Sequence, residues 1–331
     1  MKGSSAIFTL DRTFLTIIIL LRLFALSSVE ANNMGAFEEQ MERMSKADGF
    51  LAALDQSGGS TPKALAAYGV PDSEYTAGEE SMYEKVHEMR SRIMTSKCFN
   101  GDYVLGAILF ENTMDRQVEG KSTAAYLWEV KNVVPFLKCD KGLADEENGV
   151  QLMKPMPGLD DLLKRAKEGG IFGTKMRSVI KMDNEAGIKA IVEQQFEVGK
   201  QIISHGLLPI IEPEVDINSP KKKECEEILM ACILEQLDKL GEDQKVMLKL
   251  SLPTVENHYK ECMNHPNCVR VVALSGGYCR DEANKILAKQ SGMIASFSRA
   301  LMEGVQYGMS DDDYENTLNA SIQSIADASK A

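Results

Sequence analysis

Short apolar segments alternate with longer amphipathic segments along this chain from residue 49 onwards. The apolar segments are mostly five to eight residues long and contain β-branched or aromatic residues, which is typical of strands buried on both faces. This pattern predicts eight strands, at Gly49–Asp55, Val104–Phe110, Val134–Cys139, Ile171–Met176, Leu208–Glu212, Val246–Leu250, Cys268–Ser275 and Ile294–Ser298.

The segments between these strands have the periodicity of helices. In Glu185–His205, apolar residues recur near the 3.6-residue period and Gly206 follows as a stop signal. Further helices are predicted at Leu159–Ala166, Lys221–Leu240 and Asp281–Lys289, and a last one at Asp311–Ala328.

Alternating strands and helices predict a parallel sheet with right-handed crossovers. Eight strands within about 250 residues match a closed barrel, so the expected fold is α/β, a single-domain (β/α)8 TIM barrel over residues 34–331. An open, doubly wound sheet is the alternative. No GxGxxG motif follows a predicted strand, and the first strand leads into Gln-Ser-Gly-Gly-Ser at residues 56–60, which is not a dinucleotide-binding motif.

Residues 1–33 differ from the rest of the chain and form a predicted leader. Their apolar run, from Phe14 to Leu26, is interrupted by Arg22 and is shorter than the roughly 20 residues of a membrane span, so no stable span is expected. The run resembles a signal peptide or the front of an organelle address, which would direct the protein to the secretory pathway or a plastid. The alternative is an untranslated extension with Met34 as the start, which would leave the protein cytoplasmic.

Charge and metal-ligand spacing exclude several classes of function. The net charge of −12 argues against a nucleic-acid partner, because nucleic-acid binding needs a basic surface. The seven cysteines show no CxxC pair, and the four histidines show no HxH or HExxH spacing. We therefore expect no metal site and no cofactor.

Charged residues occur where the predicted strands end, which is where barrel enzymes carry their chemistry. Lys138, Lys175, Glu212 and Lys249 follow one another at intervals of 37 residues, so they should lie at similar heights on four successive strands. A single lysine at such a position often extends to solvent or pairs with a carboxylate. A charge in each of four apolar segments is costly unless the charges serve a site. Three further charges at strand ends join them, Asp55, Arg177 and Glu214.

Grouped lysines suggest amine chemistry. An amine attacks a carbonyl only when it is neutral, whereas a free lysine has a pKa of about 10.4. Burial and neighbouring cations both lower that pKa. Lys138, Lys175 and Arg177 could act in this way on Lys249, or Lys249 on them.

The carboxylates could supply general acid and base groups. Glu212 and Glu214 are two residues apart and should share a face, and Pro213 between them suits a strand terminus. Such a pair can hold one raised pKa, or either member can be the structural partner of a lysine.

Two loops have the composition of anion sites. Ser275, Gly276 and Gly277 follow the seventh strand, and Ser-Phe-Ser-Arg at residues 296–299 follows the eighth, which is the usual phosphate site of these barrels. Ser57 and Ser60, with Lys63, offer a second anion site after the first strand. Two anion sites at one barrel mouth suggest a bisphosphate.

The motifs taken together resemble those of the class I fructose-bisphosphate aldolases, and most closely their short bacterial-type branch. The resemblance extends over residues 49–301 and rests, in family order, on LAALDQSGGSTPK (51–63), FLKCDKG (136–142), GTKMR (173–177), IEPEV (211–215), MLKL (247–250), ALSGGY (273–278) and FSRAL (297–301).

The resemblance implies a glycolytic and gluconeogenic lyase that reversibly cleaves fructose 1,6-bisphosphate to dihydroxyacetone phosphate and glyceraldehyde 3-phosphate, without metal or cofactor. Lys249 would form the Schiff base, and Glu212, supported by Glu214, would be the acid and base. Lys175 would assist electrostatically, and Asp55 would orient Lys249 and act on the C4 hydroxyl. The substrate contacts would be Lys138, Arg177, Ser275, Gly276, Gly277, Arg299, Ser57 and Ser60.

One departure and three rival functions stay open. The vertebrate-type branch uses a C-terminal tyrosine in enamine proton transfer, whereas the last tyrosine here is Tyr314. The rivals are a catalytically silent sugar-phosphate binder or scaffold, a metal-dependent aldolase, and a lysine aldolase for another phosphosugar, such as sedoheptulose or tagatose bisphosphate. The sequence does not indicate an oligomeric state.

Overall fold

The computed structural model describes residues 35–331, so the predicted leader at residues 1–33 lies outside the described residues. Contacts divide the chain into two units, Met1–Glu42 and Arg43–Ala331. The start of the catalytic domain at residue 34 remains a prediction. No helix within residues 35–331 has both the length and the apolar character needed to cross a membrane.

All eight predicted strands are confirmed, and they lie in the second unit. They are β1 (Phe50–Leu54), β2 (Val104–Leu109), β3 (Val134–Lys138), β4 (Gly173–Ile180), β5 (Leu208–Val215), β6 (Val246–Ser251), β7 (Cys268–Leu274) and β8 (Ile294–Phe297). Three shorter strands accompany them, at Gln117–Val118, Lys121–Ser122 and Val150–Gln151.

The eight strands are parallel and form a closed barrel. Their order is β3-β2-β1-β8-β7-β6-β5-β4, and β3 pairs with β4 to complete the ring. The fold is therefore the predicted (β/α)8 barrel, and the open doubly wound alternative is wrong.

Strands β4 and β5 are longer than predicted. They continue past Met176 and Glu212 and stay paired with each other up to their last residues, Ile180 and Val215, and the strand Val150–Gln151 adds antiparallel pairs to the end of β4. The expectation that Pro213 marks a strand terminus was wrong, because it lies inside β5. Strand β6 pairs with β5 only at residues 210 and 211, so Pro213 lies where β5 has one neighbour.

Twelve α-helices are present within residues 35–331. They are α1 (Ala36–Lys46), α2 (Thr61–Tyr68), α3 (Glu80–Thr95), α4 (Glu111–Met114), α5 (Thr123–Ala125), α6 (Leu159–Glu168), α7 (Glu185–Ser204), α8 (Lys222–Leu237), α9 (Lys260–Asn264), α10 (Arg280–Leu287), α11 (Arg299–Met302) and α12 (Asp311–Ala328). A π-helix, Tyr126–Val130, follows α5, and two 3₁₀ turns lie at Gly58–Ser60 and Asp72–Glu74. The five predicted helices are confirmed, with ends that differ by three residues or fewer.

Apolar side chains fill the barrel below the charged strand ends. Phe136 of β3 packs edge-to-face on Phe172, with ring centroids 5.4 Å apart. Glycines on both neighbouring strands make room for its ring, because a Cβ atom would lie 3.0 Å from it at Gly106 and 2.8 Å from it at Gly173. Lys138 follows two residues along the same face of β3. The interior thus changes from apolar to charged towards the carboxyl ends of the strands.

Candidate active site

Four charged side chains from four strand ends form a continuous series of ion pairs. Asp55 Oδ2 lies 2.5 Å from Lys175 Nζ, which lies 2.9 Å from Glu212 Oε2, and Glu212 Oε1 lies 3.0 Å from Lys249 Nζ. Lys175, Glu212 and Lys249 are each at most 4% exposed. The two oxygens of one buried carboxylate therefore bind two different lysines.

The strand register explains this contact. Lys175 of β4 pairs with Ile210 of β5, and Ile210 pairs with Met247 of β6. Glu212 and Lys249 each follow two residues later, on the same face of their strands. Along the strands, Glu212 is thus level with Lys249 and lies two residues nearer the carboxyl end than Lys175. This offset places its carboxylate between the two amines.

Two members of this cluster, Asp55 and Lys175, are held in their ionised forms by neighbouring charges. Burial alone would raise the pKa of Asp55, but the charges of Lys175 and Lys249 and the hydrogen bond from Lys175 hold that pKa well below its usual value. Burial alone would lower the pKa of Lys175, and the charges of Asp55 and Glu212 raise it above its usual value instead. Cations and carboxylates alternate in this cluster, so Glu212 is a partner of lysines, which is one of the roles that the sequence leaves open for it.

The remaining strand-end charges form a second set of contacts. Lys138 Nζ lies 2.5 Å from Asp140 Oδ1, and Asp140 Oδ2 accepts a 3.2 Å hydrogen bond from the main-chain N–H of Arg177. Arg177 Nε donates to Glu214 Oε2 at 2.5 Å. Burial alone would lower the pKa of Arg177, but the hydrogen bond and charge of Glu214 raise it. Glu212 and Glu214, predicted as a carboxylate pair, thus serve different cations.

A cleft of about 850 Å³ opens beside this cluster, between the loops that follow β1, β7 and β8. Predicted anion-binding residues meet there, among them Ser60, Arg177, Gly277 and Arg299, and Lys63 adds a cation. The other lining residues are Gln56, Ala64, Ala67, Tyr68, Tyr278, Cys279, Ser298, Ala300, Met302, Glu303 and Gly304.

The glycine loop after β7 lies beside Arg299. Gly276 and Gly277 have φ angles of 63° and 129°, in the region that favours glycine. A Cβ atom on Gly277 would lie 3.4 Å from Arg299 Nη2. The guanidinium and the glycine loop together offer charge and main-chain N–H groups to one anion.

Some predicted contact residues are not brought into this cleft. Of the described residues that line it, none is Ser57, Ser275, Gly276 or Lys138. The Ser60 hydroxyl is engaged by the main chain of Ser57, because it accepts from the N–H at 2.9 Å and donates to the carbonyl at 2.8 Å. Ser60 therefore closes the turn after β1, and its predicted role at an anion stays a prediction.

The two parts of the site suit different chemistry. A carboxylate within hydrogen-bond distance of a buried primary amine can exchange protons with that nitrogen. A glycine loop beside an arginine and a lysine can hold a phosphate group. Within residues 35–331, no three His, Cys, Asp or Glu side chains are grouped so that they could hold a metal ion.

A family model described as glycolytic, fructose-bisphosphate aldolase class I, matches residues 38–257, more than half of the chain. This chain belongs to the class I fructose-bisphosphate aldolase family. Asp55, Lys138, Lys175, Glu212 and Lys249 lie within the matched segment, whereas the predicted anion-binding residues after β7 and β8 lie beyond it. Family membership implies a lyase, as the resemblance of the motifs had predicted.

Solved structures share the fold of this aldolase family member at low sequence identity. A fructose-bisphosphate aldolase from Plasmodium falciparum, in complex with TRAP and a small-molecule inhibitor, has a TM-score of 0.69 at 19% identity, covering 89% of this chain and 94% of that one. Cgl0159 from Corynebacterium glutamicum has a TM-score of 0.52 at 14% identity, covering 93% and 96%. A Schiff-base-forming fructose-1,6-bisphosphate aldolase has a TM-score of 0.50 at 11% identity, covering 86% and 99%.

Two polar residues that contact the site residues were not predicted from the sequence, Asp140 and Gln195. Asp140 binds Lys138 and Arg177, and its position two residues after Lys138 was a usable signal. Gln195 of α7 accepts from the N–H of Glu212 at 2.9 Å and donates to Ser178 Oγ at 2.9 Å. Gln195 is a buried position of α7, so a polar residue on the buried face of the predicted helix was a usable signal for this contact.

The tyrosine near the end of the chain lies away from the lysines. Tyr314 is 2% exposed in α12, where the Arg92 guanidinium lies 4.0 Å from the centre of its ring. The carbonyl of Ala331 accepts from the N–H of Gly292, which precedes β8 and therefore lies at the opposite end of the barrel from the ion pairs. Tyr314 also packs edge-to-face on Tyr68, with ring centroids 6.4 Å apart, and forms no ion pair or ring contact with the lysines of the cluster within residues 35–331.

Proposed function

We propose that this chain is a metal-independent aldolase that cleaves fructose 1,6-bisphosphate to dihydroxyacetone phosphate and glyceraldehyde 3-phosphate, and catalyses the reverse condensation, through a Schiff base on Lys249. The observation that carries the proposal is the Glu212 carboxylate, which lies 3.0 Å from Lys249 Nζ and also binds Lys175. The family and the two-part site support it. Assignment to the short bacterial-type branch remains a prediction.

Glu212 is the proposed general base and general acid at the Lys249 nitrogen. It accepts a proton from the ammonium, and the neutral amine attacks the C2 carbonyl to give a carbinolamine. The same carboxyl then returns a proton to the departing hydroxyl, so that water leaves and an iminium ion forms. Lys175 remains charged beside Glu212 and stabilises the carboxylate whenever it is deprotonated.

Asp55 is the proposed base for the cleavage step. It removes the proton of the C4 hydroxyl, the C3–C4 bond breaks, and the electron pair passes into the iminium to leave an enamine and the aldehyde. The lowered pKa of Asp55 keeps its carboxyl group in the ionised form. Protonation of the enamine and hydrolysis of the second iminium then release dihydroxyacetone phosphate. The donor of that enamine proton is not assigned.

The cleft, together with the strand ends and loops beside it, would hold the phosphate groups. Arg299 and the Ser275–Gly277 loop are the proposed contacts for the dihydroxyacetone phosphate half, and Arg177 and Lys138 the contacts nearer the cluster. The proposed second phosphate site consists of Ser57 and Ser60, with Lys63 as the nearby cation. A catalytically silent binder would not need a carboxylate bridging two buried amines, whose burial is costly.

Borohydride trapping tests the proposal. The protein is treated with EDTA and incubated with dihydroxyacetone phosphate, the imine is reduced, and the adduct is mapped by mass spectrometry. We expect one adduct, on Lys249, and none in Lys249→Met. Lys245→Met, which removes an exposed amine one residue before β6, is the matched control and should keep the adduct.

Three results would contradict parts of the proposal. An adduct on Lys138 or Lys175 would show that another lysine is the nucleophile. Activity abolished by EDTA, with no adduct, would indicate a metal-dependent aldolase. A higher kcat/KM for tagatose or sedoheptulose bisphosphate than for fructose 1,6-bisphosphate would keep the mechanism and change the substrate.

A further inference from the structure

Gln56, two residues after the end of β1, joins the loop that follows β1 to the loop that follows β8. Its side-chain Nε2 donates to Ser298 Oγ at 2.6 Å. Its Oε1 accepts from Arg90 Nη2 at 3.2 Å. Both polar atoms of the Gln56 amide are therefore hydrogen-bonded. One contacts the loop after β8, and the other contacts helix α3.

The neighbours of this hydrogen bond in the sequence are residues with proposed roles in the reaction. Asp55, the proposed base, directly precedes Gln56. Arg299, the proposed phosphate ligand, directly follows Ser298 and begins α11. The Gln56–Ser298 bond thus links the reacting end of the site to its phosphate-binding end, and Gln56 and Ser298 both line the cleft.

Strand pairing does not link these two loops. The ladder between β1 and β8 has two register pairs, and it ends at Ala52 and Phe297. Strand β1 continues to Leu54 paired with β2, whereas β8 ends at Phe297, so the amide of Gln56 extends the contact between the β1 and β8 segments beyond their ladder.

A buried arginine donates hydrogen bonds to Gln56. Arg90 of α3 is 0% exposed, and it donates to the main-chain carbonyl of Gln56 as well as to the amide. Its Nη1 donates to Thr113 Oγ1 at 2.7 Å, and no carboxylate within residues 35–331 forms an ion pair with it. A buried guanidinium without a carboxylate partner needs such neutral oxygens as hydrogen-bond acceptors. These hydrogen bonds therefore hold the carbonyl and the side chain of Gln56 in place.

We infer that Gln56 is a positioning residue that sets the separation between Asp55 and the phosphate bound at Arg299. The inference rests on the proposed aldolase function. Binding energy from a phosphate group assists a distant reacting centre only when the structure between the two is rigid. Loss of the Gln56–Ser298 bond should therefore uncouple the phosphate from the chemistry, while the Lys249 amine remains reactive.

A comparison of two substrates isolates this effect. Dihydroxyacetone phosphate uses the phosphate site and dihydroxyacetone does not, so the ratio of their apparent affinities in the borohydride assay measures what the phosphate contributes. Gln56→Leu, which removes both ends of the amide, should lower this ratio by roughly tenfold, as expected for the loss of a buried hydrogen bond. Adduct formation from dihydroxyacetone should stay within about twofold of wild type.

Further variants separate positioning from a general structural role. Ser298→Ala should lower the ratio to a similar extent, and the double variant should fall no further, because the two residues act as one unit. Ser298→Thr keeps the hydroxyl and should restore the preference. Gln201→Leu, whose amide binds Asp160 far from the cleft, is the matched control and should leave the ratio unchanged.

The outcomes distinguish the inference from the proposed function. No Lys249 adduct in the wild-type protein overturns the proposed function and the inference with it. A wild-type adduct with an unchanged ratio in Gln56→Leu overturns the inference alone, as does an equal loss for both substrates or an additive double variant. If Gln56→Leu does not fold, Ser298→Ala, which keeps the Arg90–Gln56 contact, provides the same test.

Discussion

The lysine–carboxylate cluster lies at the ends of strands, whereas the predicted anion-binding residues, apart from Arg177 on β4, lie on the loops after β1, β7 and β8. In the cluster, Lys175, Glu212 and Lys249 are buried and held by one another's charges. On the loops, Arg299 and Lys63 are exposed at the wall of an open cleft. In one part of the site, each buried charge thus depends on its ion-pair partners. In the other part, an exposed charge can be replaced without leaving a buried partner unpaired.

Because of this difference, substitutions in the cluster and substitutions at the cleft should affect stability and activity in different ways. Removing one member of a buried ion-pair network leaves an uncompensated charge, so a change in the cluster should affect folding and chemistry together. Removing an exposed cation leaves no buried charge, so a change at the cleft should affect binding alone.

The largest effect is expected when the cluster loses its shared carboxylate. In Glu212→Leu, Lys249 loses its only ion pair among the described residues and Lys175 keeps only Asp55. We expect a loss of about 3–5 kcal/mol in the free energy of unfolding and at least a roughly hundredfold lower kcat. Urea unfolding and steady-state kinetics measure the two quantities.

Glu193→Leu is the matched control. Glu193 is half exposed on α7, and its ion pair with Lys189 is 4.0 Å long. Its loss should change the free energy of unfolding by less than about 0.5 kcal/mol. A Glu212→Leu variant that is as stable as this control would show that the cluster is not a mutually dependent unit.

The next effect tests the cleft. Arg299→Met should raise KM for fructose 1,6-bisphosphate by roughly 10- to 100-fold, because one charge-assisted contact to a phosphate is lost. The free energy of unfolding should stay within about 0.5 kcal/mol of wild type. Kinetics and thermal unfolding of Arg299→Met and of Lys289→Met, a remote exposed cation, provide the measurement. A large loss of stability in Arg299→Met would contradict the separation of binding from folding.

The same division explains what the sequence could predict. The interval of 37 residues followed from the regular succession of strand and helix, so it predicted that Lys138, Lys175, Glu212 and Lys249 lie on neighbouring strands. The contacts between them depend on register. Glu212 lies opposite Arg177 on β4 and level with Lys249 on β6, and no periodicity along one chain specifies that offset.

Loop geometry was harder to predict, because it depends on contacts distant in sequence. The Gln56–Ser298 bond joins residues 242 positions apart. Arg90 did leave a local signal, since it occupies a buried position of α3 between Val86 and Met94, at the spacing of an apolar helix face. A cation at such a position indicates a buried polar partner, but not that the partner is the loop after β1.

A smaller effect should appear in the pH dependence of stability. The pKa of Asp55 is below its ordinary value of 3.8 because the charges of Lys175 and Lys249 outweigh the effect of burial. The folded state therefore binds this proton more weakly than the unfolded state. The stability that Asp55 contributes is present above about pH 3.8 and is lost as the pH falls through the lowered pKa.

Asp55→Asn should consequently flatten the acid side of the stability curve. Between about pH 6 and pH 3, the free energy of unfolding should fall by roughly 1–2 kcal/mol less in Asp55→Asn than in wild type. Asp243→Asn, on the exposed surface, is the control and should retain the wild-type slope. Equal slopes in the Asp55→Asn and wild-type proteins would mean that the cluster does not hold Asp55 in its ionised form.

The smallest expected change concerns two cysteines, one in each part of the site. Burial raises the pKa of Cys139 to about 12, and its Sγ lies 3.6 Å from the carbonyl of Lys175, so this thiol should not react in the folded protein. Cys279 is exposed and lines the cleft. A disulfide reagent at neutral pH should therefore modify Cys279 first, with almost no effect on stability.

Variants of these cysteines, followed by the rate of thiol release, complete the comparison. Cys279→Ser should remove the fast phase, whereas Cys139→Ser and Cys232→Ser, the half-buried control, should keep it. Inorganic phosphate should slow the fast phase if it binds beside Arg299 and Gly277, because Cys279 shares their cleft. A fast phase that survives in Cys279→Ser but disappears in Cys139→Ser would place the accessible thiol inside the strand-end cluster. The cluster would then open to solvent on the timescale of the reaction, and its charges could not depend on one another as the ion pairs require.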